Sequence, residues 1–307
     1  MNCLIAVVGP TAIGKSRLGS LIAKDFPAEI INADSRQIYK YMDIGTSKPT
    51  SEERTGIPYH LLDIITPDQE YSVATYQREA GIAIGDIQYR DKLPLLVGGS
   101  GQYVWSLIEG WQIPEVPPDP SLRESLAIKA SVKGIESLYM ELKAIDPIAA
   151  TRISPHNLRR IIRALEIHYK TGRKPSELQG KKETGYQYLI IGLTAERKVL
   201  YSIIDDRVEK MVGAGLVDEV KNLLDRGYGP WLPSMSSLGY REIATYLKGG
   251  ITLSDAIEKI KFGTHRFARG QYAWFRLSDP RIVWFDICCD NREKINYTIK
   301  TFLEKSS

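Results

Sequence analysis

Short apolar segments alternate with longer segments of helical periodicity along the first third of the chain. The candidate strands have the length and apolar content typical of a buried parallel sheet, and they cover residues 3–8, 29–33 and 93–97. Segments 16–25 and 73–90 carry apolar residues at helical spacing, and Ser72 is positioned to cap the second helix. This alternation predicts an α/β fold with a doubly wound parallel sheet flanked by helices.

The alternation stops at a group of prolines that predicts a stiff linker: Pro114, Pro117, Pro118 and Pro120. Residues 121–171 then contain only helical patterns, and the last of these helices, predicted over 155–171, ends at Gly172. A further apolar segment at 188–193 again has the pattern of a core strand. We therefore expect an all-helical insertion domain at 117–186, within a core domain formed by 1–116 and 187–307.

The first predicted strand leads directly into a glycine, four residues and Gly-Lys-Ser, which is the pattern of a phosphate-binding loop. The residues of this loop are Gly9, Pro10, Thr11, Ala12, Ile13, Gly14, Lys15 and Ser16. Backbone N–H groups and a helix N-terminus would face one cavity that suits a di- or triphosphate. Lys15 would add positive charge, and the Ser16 hydroxyl would be a ligand for Mg²⁺. The order of strand, loop and helix favours a P-loop NTPase-like core over an ordinary glycine-rich turn.

Two further side chains are candidates for chemistry near this loop. Asp34 follows the second strand, where it could accept a proton, hold Mg²⁺ through water or cap a turn with Ser35. Arg207 follows Asp205 and Asp206 at the predicted start of a helix that continues through Met211, Leu216 and Val220. There it could bind a polyphosphate or form an ion pair with these acids. No Asp or Glu occurs at 96–99, after the third strand, which argues against nucleotide hydrolysis.

Positive charge is concentrated in one part of the chain. The whole chain carries a net charge of +4, whereas residues 151–186 hold nine Lys/Arg and three Asp/Glu, a local balance of +6. Residues 259–276 contain five Lys/Arg and no acid, interleaved with aromatic residues. Such segments suit a polyanionic partner, including RNA with unstacked bases, although a solvated helical face has the same composition.

The sequence has no pattern of a signal peptide and no apolar run long enough to span a membrane, so we expect a cytoplasmic protein. Its three cysteines, Cys3, Cys288 and Cys289, lack metal-binding spacing and are expected to be reduced, buried thiols.

Several motif blocks together resemble one family across nearly the whole chain. The most specific are Asp34-Ser35-Arg36-Gln37-Ile38-Tyr39 and Met42-Asp43-Ile44-Gly45-Thr46. The other blocks are the phosphate-binding loop and residues 60–63, 96–101, 160–166, 207–220, 239–242 and 271–276. In this order they resemble the bacterial tRNA dimethylallyltransferases, which transfer a dimethylallyl group to the exocyclic amine of the adenosine immediately 3′ of the anticodon.

The resemblance implies roles for individual residues. Thr11–Ser16 and Arg207 would hold the diphosphate of dimethylallyl diphosphate, with Mg²⁺ at Ser16, and Asp34 would be the general base. Contacts with the tRNA anticodon stem–loop would come from Asp34, Ser35, Arg36, Gln37, Ser100, Arg123, Arg159, Arg160, Ile161, Ile162 and Arg163. The family usually has Gln at position 159, Thr at 100 and often Met at 36. We further expect ATP binding and a monomeric protein.

Three alternatives use the same motifs. A small-metabolite phosphotransferase would use the loop with Asp34 as base and the insertion as a lid. A nucleotide-gated RNA-binding protein would use the loop as a switch, and a third enzyme class would prenylate a free adenine nucleotide. The basic insertion argues against the two small-acceptor enzymes, because a small acceptor does not need it.

Overall fold

The computed structural model describes residues 2–306, which form eight strands and thirteen helices. The strands are β1 (Cys3–Val8), β2 (Ala28–Asn32), β3 (Tyr59–His60), β4 (Leu93–Val97), β5 (Trp111–Gln112), β6 (Gly180–Lys181), β7 (Gln187–Thr194) and β8 (Ile282–Asp286). The first eight helices are α1 (Lys15–Asp25), α2 (Val73–Tyr89), α3 (Gly101–Ile108), α4 (Pro120–Lys133), α5 (Ile135–Ile145), α6 (Pro147–Arg152), α7 (Leu158–Thr171) and α8 (Pro175–Leu178). The remaining helices are α9 (Arg197–Gly213), α10 (Leu216–Asp225), α11 (Tyr240–Leu247), α12 (Leu253–Trp274) and α13 (Arg292–Ser306).

Six strands form one parallel sheet in the order β3-β2-β4-β1-β7-β8. The central strand β1 pairs Ile5 with Leu95 of β4 on one side and with Leu189 of β7 on the other. Its six residues are buried because helices cover both faces of such a sheet. The predicted α/β class is therefore confirmed, and the carboxyl ends of β1, β2 and β4 lie at the same edge.

The chain divides into two compact units, a core unit of residues up to Ile108 and from Gly185 onward, and a helical unit of Glu109–Thr184. The predicted insertion began at 117, whereas the helical unit begins at 109. The physical reason is a short antiparallel pair inside this unit, in which Trp111 lies opposite Lys181 and Gln112 opposite Gly180. This pairing joins the stretch before the prolines to the helical unit.

The helical unit packs α4 to α7 around its own apolar core, in which Leu138, Leu142, Ile161 and Leu165 are completely buried. Helix α7 begins at Leu158, three residues later than predicted, because the Asn157 side chain caps it by accepting a hydrogen bond from Arg160 N at 3.1 Å. The helix ends at Gly172 as predicted.

Two expectations about the core unit were wrong. Arg207 lies inside α9 and not at the start of a helix. This helix ends at Gly213, and Gly215 at φ 101° separates it from α10. Cys288 and Cys289 are exposed in the turn after β8, whereas Cys3 is buried as expected. Among residues 2–306, no helix combines the length and apolar character needed to cross a membrane.

Candidate active site

The loop between β1 and α1 turns tightly at two glycines. Gly9 has φ 142°, and a Cβ there would lie 2.6 Å from the Leu193 carbonyl oxygen. Gly14 has a left-handed conformation at the N-terminus of α1, with φ 94°. The Lys15 side chain folds back over the loop and donates from Nζ to the Pro10 carbonyl at 2.6 Å. The loop is thus tightly folded, and its backbone conformation at both positions favours glycine.

A buried glutamine braces this loop from α12. Thr11 N donates to Gln271 Oε1 at 2.7 Å, and Gln271 Nε2 donates to the Gly99 carbonyl at 3.0 Å. A Cβ at Gly99 would lie 2.2 Å from Gln271 Nε2, so only glycine permits this bridge. Sequence reasoning assigned Gln271 no individual role, although this residue begins the motif block 271–276.

Asp34 lies in a tight turn directly after β2. Its backbone N–H donates to Asn32 Oδ1 at 3.0 Å, and its own Oδ1 accepts from Arg36 N at 2.9 Å. Within the described residues, Asp34 Oδ2 accepts no hydrogen bond. The side chain therefore caps a turn with one oxygen and keeps the other for a further partner, which unites two of the predicted alternatives.

Ser100 joins this turn to the end of β4, because Ser35 N donates to Ser100 Oγ at 2.9 Å. The next two side chains are also held by backbone carbonyls. Arg36 Nη1 donates to Pro233 O at 3.2 Å, and Gln37 Nε2 donates to Thr46 O and Ser47 O, both at 3.1 Å. The structure thus brings Asp34, Ser35 and Ser100 together beside the ends of β2 and β4.

Arg207 approaches the phosphate-binding loop and donates from Nη1 to Thr11 Oγ1 at 3.3 Å. Asp205, one of the two predicted ion-pair partners, instead lies with Oδ1 2.8 Å from His265 Nε2. Arg207 is therefore placed to meet a ligand in the loop.

Electrostatics link the loop, Asp34 and Arg207. Burial lowers the pKa of Lys15 to about 8, with Asp34 opposing the shift and Arg207 adding to it. Burial also lowers the pKa of Arg207, again opposed by Asp34. Two cations that lose solvation next to each other favour an anionic ligand, because its charge would offset both penalties.

The predicted RNA-binding residues of α7 fall into three groups, of which the last is Arg163, paired with Glu166. Arg159 and Arg160 are exposed, and neither side chain bonds to another of residues 2–306. Ile161 and Ile162 are buried in the core of the helical unit, with exposed fractions of 0% and 9%, so their side chains are directed away from solvent. A side-chain contact between RNA and these two isoleucines is not available in this conformation.

Arg123 and Arg163 converge on Glu166, which is completely buried. Glu166 accepts from Arg123 Nε and Nη2 at 2.8 and 2.9 Å, from Asp119 N at 2.8 Å and from Arg163 Nη1. Burial raises the pKa of Glu166, but the hydrogen bonds from Arg123, Asp119 N and Arg163 together lower it overall. The carboxylate therefore stays ionised and holds both guanidinium groups.

Arg163 also fastens the proline linker, because its Nη2 donates to Val116 O at 2.8 Å. Sequence reasoning missed the role of Glu166. The available signal was its position four residues after Ile162, which places a carboxylate on the apolar stripe of α7. A carboxylate in such a position requires a cationic partner.

The structure describes no group of three or more His, Cys, Asp or Glu side chains that could hold a metal ion within residues 2–306. The Ser16 hydroxyl lies in the first turn of α1 and makes no hydrogen bond with a described residue. This donor set fits Mg²⁺ only where ligand oxygens and water supply most of the coordination, as is usual for this ion with phosphates.

Three comparisons with known proteins indicate one family. The family model described as IPP transferase matches residues 37–278. The tRNA dimethylallyltransferase of Roseiflexus castenholzii is 53% identical over 280 residues, which cover 91% of this chain and 91% of that relative. Among solved structures, the full-length tRNA isopentenylpyrophosphate transferase of Bacillus halodurans has a TM-score of 0.73 and 41% identity, covering 100% of this chain and 98% of that chain.

A eukaryotic dimethylallyltransferase, described as acting on tRNA, has a TM-score of 0.78 and 30% identity over 92% of this chain and 73% of that chain. The family model alone covers well over half of the sequence, and the relatives match nearly all of it. The chain therefore belongs to the IPP transferase family.

Proposed function

We propose that this chain is a tRNA dimethylallyltransferase. It transfers the dimethylallyl group of dimethylallyl diphosphate to the exocyclic N6 amine of the adenosine immediately 3′ of the anticodon, in tRNAs that read codons beginning with U. Relatives with this name support the proposal at about half identity over most of the chain. The observation that carries it is the combination of a phosphate-binding loop, Arg207 and an Asp34 carboxylate oxygen that accepts no hydrogen bond from a described residue.

The loop residues Thr11–Ser16 and Arg207 bind the diphosphate, which is the leaving group. A guanidinium and an ammonium next to aligned backbone N–H groups stabilise the negative charge that develops on the departing oxygen. The C1–O bond of the donor breaks as the C1–N6 bond forms. No water has to be activated, which agrees with the absence of an acid at 96–99.

Asp34 accepts the proton that the N6 amine loses as it becomes alkylated. The hydrogen bond from Arg36 N fixes one carboxylate oxygen, so the second oxygen has a defined direction for this proton. The target adenosine is stacked in the anticodon loop and has to leave the stack to reach this edge of the sheet.

Mg²⁺ would bind at the Ser16 hydroxyl together with diphosphate oxygens. When bound, it would neutralise part of the charge of the leaving group.

The helical unit binds the anticodon stem–loop through phosphate contacts of Arg159 and Arg160, with Arg123 and Arg163 adding charge beside them. Ser35, Arg36, Gln37 and Ser100 contact the RNA near the reacting base. The enzyme acts as a monomer, and its tRNA substrate places the activity in the cytoplasm.

The test is incubation of the protein with dimethylallyl diphosphate, Mg²⁺ and unmodified tRNA, followed by mass spectrometry of the nucleosides. We expect one adenosine per tRNA to gain a dimethylallyl group. Two parallel reactions test the alternatives. One replaces dimethylallyl diphosphate with ATP as the donor, and the other replaces tRNA with a free adenine nucleotide as the acceptor. Phosphate transfer from ATP, or prenylation of the free nucleotide at a rate equal to that of tRNA, would overturn the proposal.

A further inference from the structure

A carboxylate outside the reacting groups organises the loop after Met42. Glu219 of α10 accepts hydrogen bonds from three consecutive backbone N–H groups, those of Asp43, Ile44 and Gly45, at 2.9, 2.7 and 3.1 Å. Successive N–H groups that point into one concavity form an anion-binding nest. Here the anion is a side chain of the same chain, so the nest fastens the loop to α10.

Tyr240 completes this arrangement from α11. Its hydroxyl donates to Glu219 Oε1 at 2.6 Å, and burial, followed by the Glu219 charge, raises the pKa of Tyr240. The phenol therefore stays neutral and remains a donor. Its ring packs on Gly45, where a Cβ would lie 2.4 Å from the ring, so glycine is required by close contact. Glu219 thus receives four hydrogen bonds that set the position of this loop.

The loop in turn determines which atom Gln37 presents. Gln37 Nε2 lies 3.1 Å from both Thr46 O and Ser47 O, which directly follow the nest. Carbonyl oxygens only accept hydrogen bonds, so the atom that faces them has to be the amide nitrogen. The amide oxygen of Gln37 therefore points the other way and accepts no hydrogen bond from residues 2–306.

We propose that Gln37 reads an N–H donor on a base of the RNA through its amide oxygen, and that Glu219 is the positioning residue that fixes this polarity. The inference rests on the proposed function and deepens it. An amide that can rotate by half a turn can present either its N–H or its C=O group, so it bonds equally well to an acceptor or a donor. A fixed amide discriminates between the two. Glu219 acts through the loop, which it holds by accepting hydrogen bonds from Asp43 N, Ile44 N and Gly45 N.

The test is a double-mutant cycle on kcat/KM for an unmodified tRNA. Gln37→Met removes the amide in a side chain of similar shape, and Glu219→Gln weakens the nest. We expect each change to lower kcat/KM for tRNA about tenfold, mainly through KM, with the KM for dimethylallyl diphosphate unchanged. Adding Glu219→Gln to Gln37→Met should then have little further effect, because the positioned amide is already absent.

Asp218→Asn is the matched control, since it removes the same charge from the neighbouring residue, which is exposed and makes no hydrogen bond with a described residue. It should retain the tRNA kinetics of the wild type. If Glu219 had no influence on the Gln37 amide, the losses caused by Glu219→Gln and Gln37→Met would add, because the two side chains do not contact each other. Additive losses, or a Gln37→Met variant with the KM of the wild type, would overturn the inference.

Gln37→Glu tests the polarity itself. Its ionised carboxylate would face two carbonyl oxygens without a donor, whereas the protonated acid restores one donor and keeps one acceptor. The ratio of its activity to that of the wild type should therefore rise as the pH falls, and a flat ratio would contradict the assigned polarity.

The same variants separate this inference from the proposed function. If the wild type modifies no tRNA, the proposed function fails, and the cycle is then run on tRNA affinity, where a lack of coupling between Glu219 and Gln37 overturns the inference as well. If the wild type modifies tRNA and the coupling is absent, the inference alone fails.

Discussion

The core unit and the helical unit use arginine in opposite ways. In the core unit, Arg207 loses solvation beside Lys15, and its one side-chain hydrogen bond among residues 2–306 goes to a neutral hydroxyl, that of Thr11. In the helical unit, Arg123 and Arg163 are neutralised in part by the buried Glu166. A cation without a carboxylate partner favours an incoming anion, whereas a cation held by a carboxylate mainly stabilises the fold. A count of basic residues in the sequence does not distinguish these two roles.

The largest effect is expected at Asp34. Asp34→Ala should slow prenyl transfer by about 10²–10⁴, the usual loss on removing a general base, while tRNA affinity stays within a few fold. Asp34→Asn is the sharper variant because its amide oxygen still accepts from Arg36 N and preserves the turn. Single-turnover rates close to those of the wild type would show that Asp34 only caps the turn.

The next largest effect is expected at Arg207. Arg207→Ala should lower kcat/KM for dimethylallyl diphosphate by about 10- to 100-fold, the range expected for a hydrogen bond to a charged group. Arg207→Lys should restore only part of this loss, since an ammonium cannot hold two phosphate oxygens in a plane. Steady-state kinetics with varied donor measure the effect, and unchanged donor kinetics in Arg207→Ala would remove this arginine from the diphosphate site.

Lys15 should make donor binding depend on pH. Its pKa of about 8 in the free protein lies below its ordinary value, so it loses its charge above pH 8. The bound diphosphate favours the charged form, so donor affinity should fall by up to about tenfold per pH unit above 8. The effect of pH on stability has the opposite sign. Between the pKa values of Lys15 in the folded and the unfolded chain, the unfolded chain binds more protons, so the free energy of unfolding rises with pH over that range.

Calorimetric titration of the donor at several pH values measures this dependence, with Lys15→Met as the comparison that should lack it. A wild-type affinity that is independent of pH between 7 and 9.5 would contradict the assigned role of Lys15.

In the helical unit, substitution of the buried Glu166 should reduce stability. Glu166→Gln should lower its free energy of unfolding by about 1–3 kcal/mol, since two guanidinium groups and a buried N–H lose an ionised acceptor. Glu177→Gln is a matched control with the same change in charge at an exposed residue, and it should stay within about 0.5 kcal/mol. Unfolding in urea, monitored by hydrogen exchange of the backbone amides of α4 and α7, measures the stability of the two variants. Equal stabilities would mean that Glu166 does not hold this unit together.

The smallest effect is expected at the exposed arginines. Replacing Arg159 and Arg160 together with Ala should weaken binding of all tRNAs a few fold and reduce the salt dependence by at most about one unit of slope per residue. Replacing Arg160 and Arg163 would mix this effect with the loss of an ion pair, so the first pair is the cleaner test. Affinity and salt slope equal to those of the wild type would exclude these arginines from the RNA interface.

The strands and the phosphate-binding loop could be predicted from the sequence because their signals are local. β1 and β4 were predicted with their observed bounds, since wholly buried strands are continuous apolar runs between breaks. β3 has only two residues, and the four apolar residues 282–285 of β8 form a shorter run than those of β1 and β4, so neither was predicted as a strand. The end of α9 was missed because Gly213 and Gly215 interrupt a pattern that continues in α10.

The contacts that organise the site could not be predicted, because they join residues far apart in the sequence. Gln271 meets Thr11 across 260 positions and Glu219 meets Asp43 across 176, so no local spacing reveals either pair. For Arg123 and Arg163, the resemblance pointed to RNA, and only the structure shows the acid that they share. Spacing indicates which face a side chain occupies, but not which partner it meets there.

The central claim is that the core unit performs the chemistry and the helical unit holds the RNA. The most direct test compares single-turnover rates of prenyl transfer at saturating tRNA and donor for the wild type, Asp34→Asn and the Arg159→Ala/Arg160→Ala double variant. We predict a rate close to that of the wild type for the double variant and a loss of about 10² or more for Asp34→Asn. A double variant as slow as Asp34→Asn at saturating tRNA would contradict this division of roles.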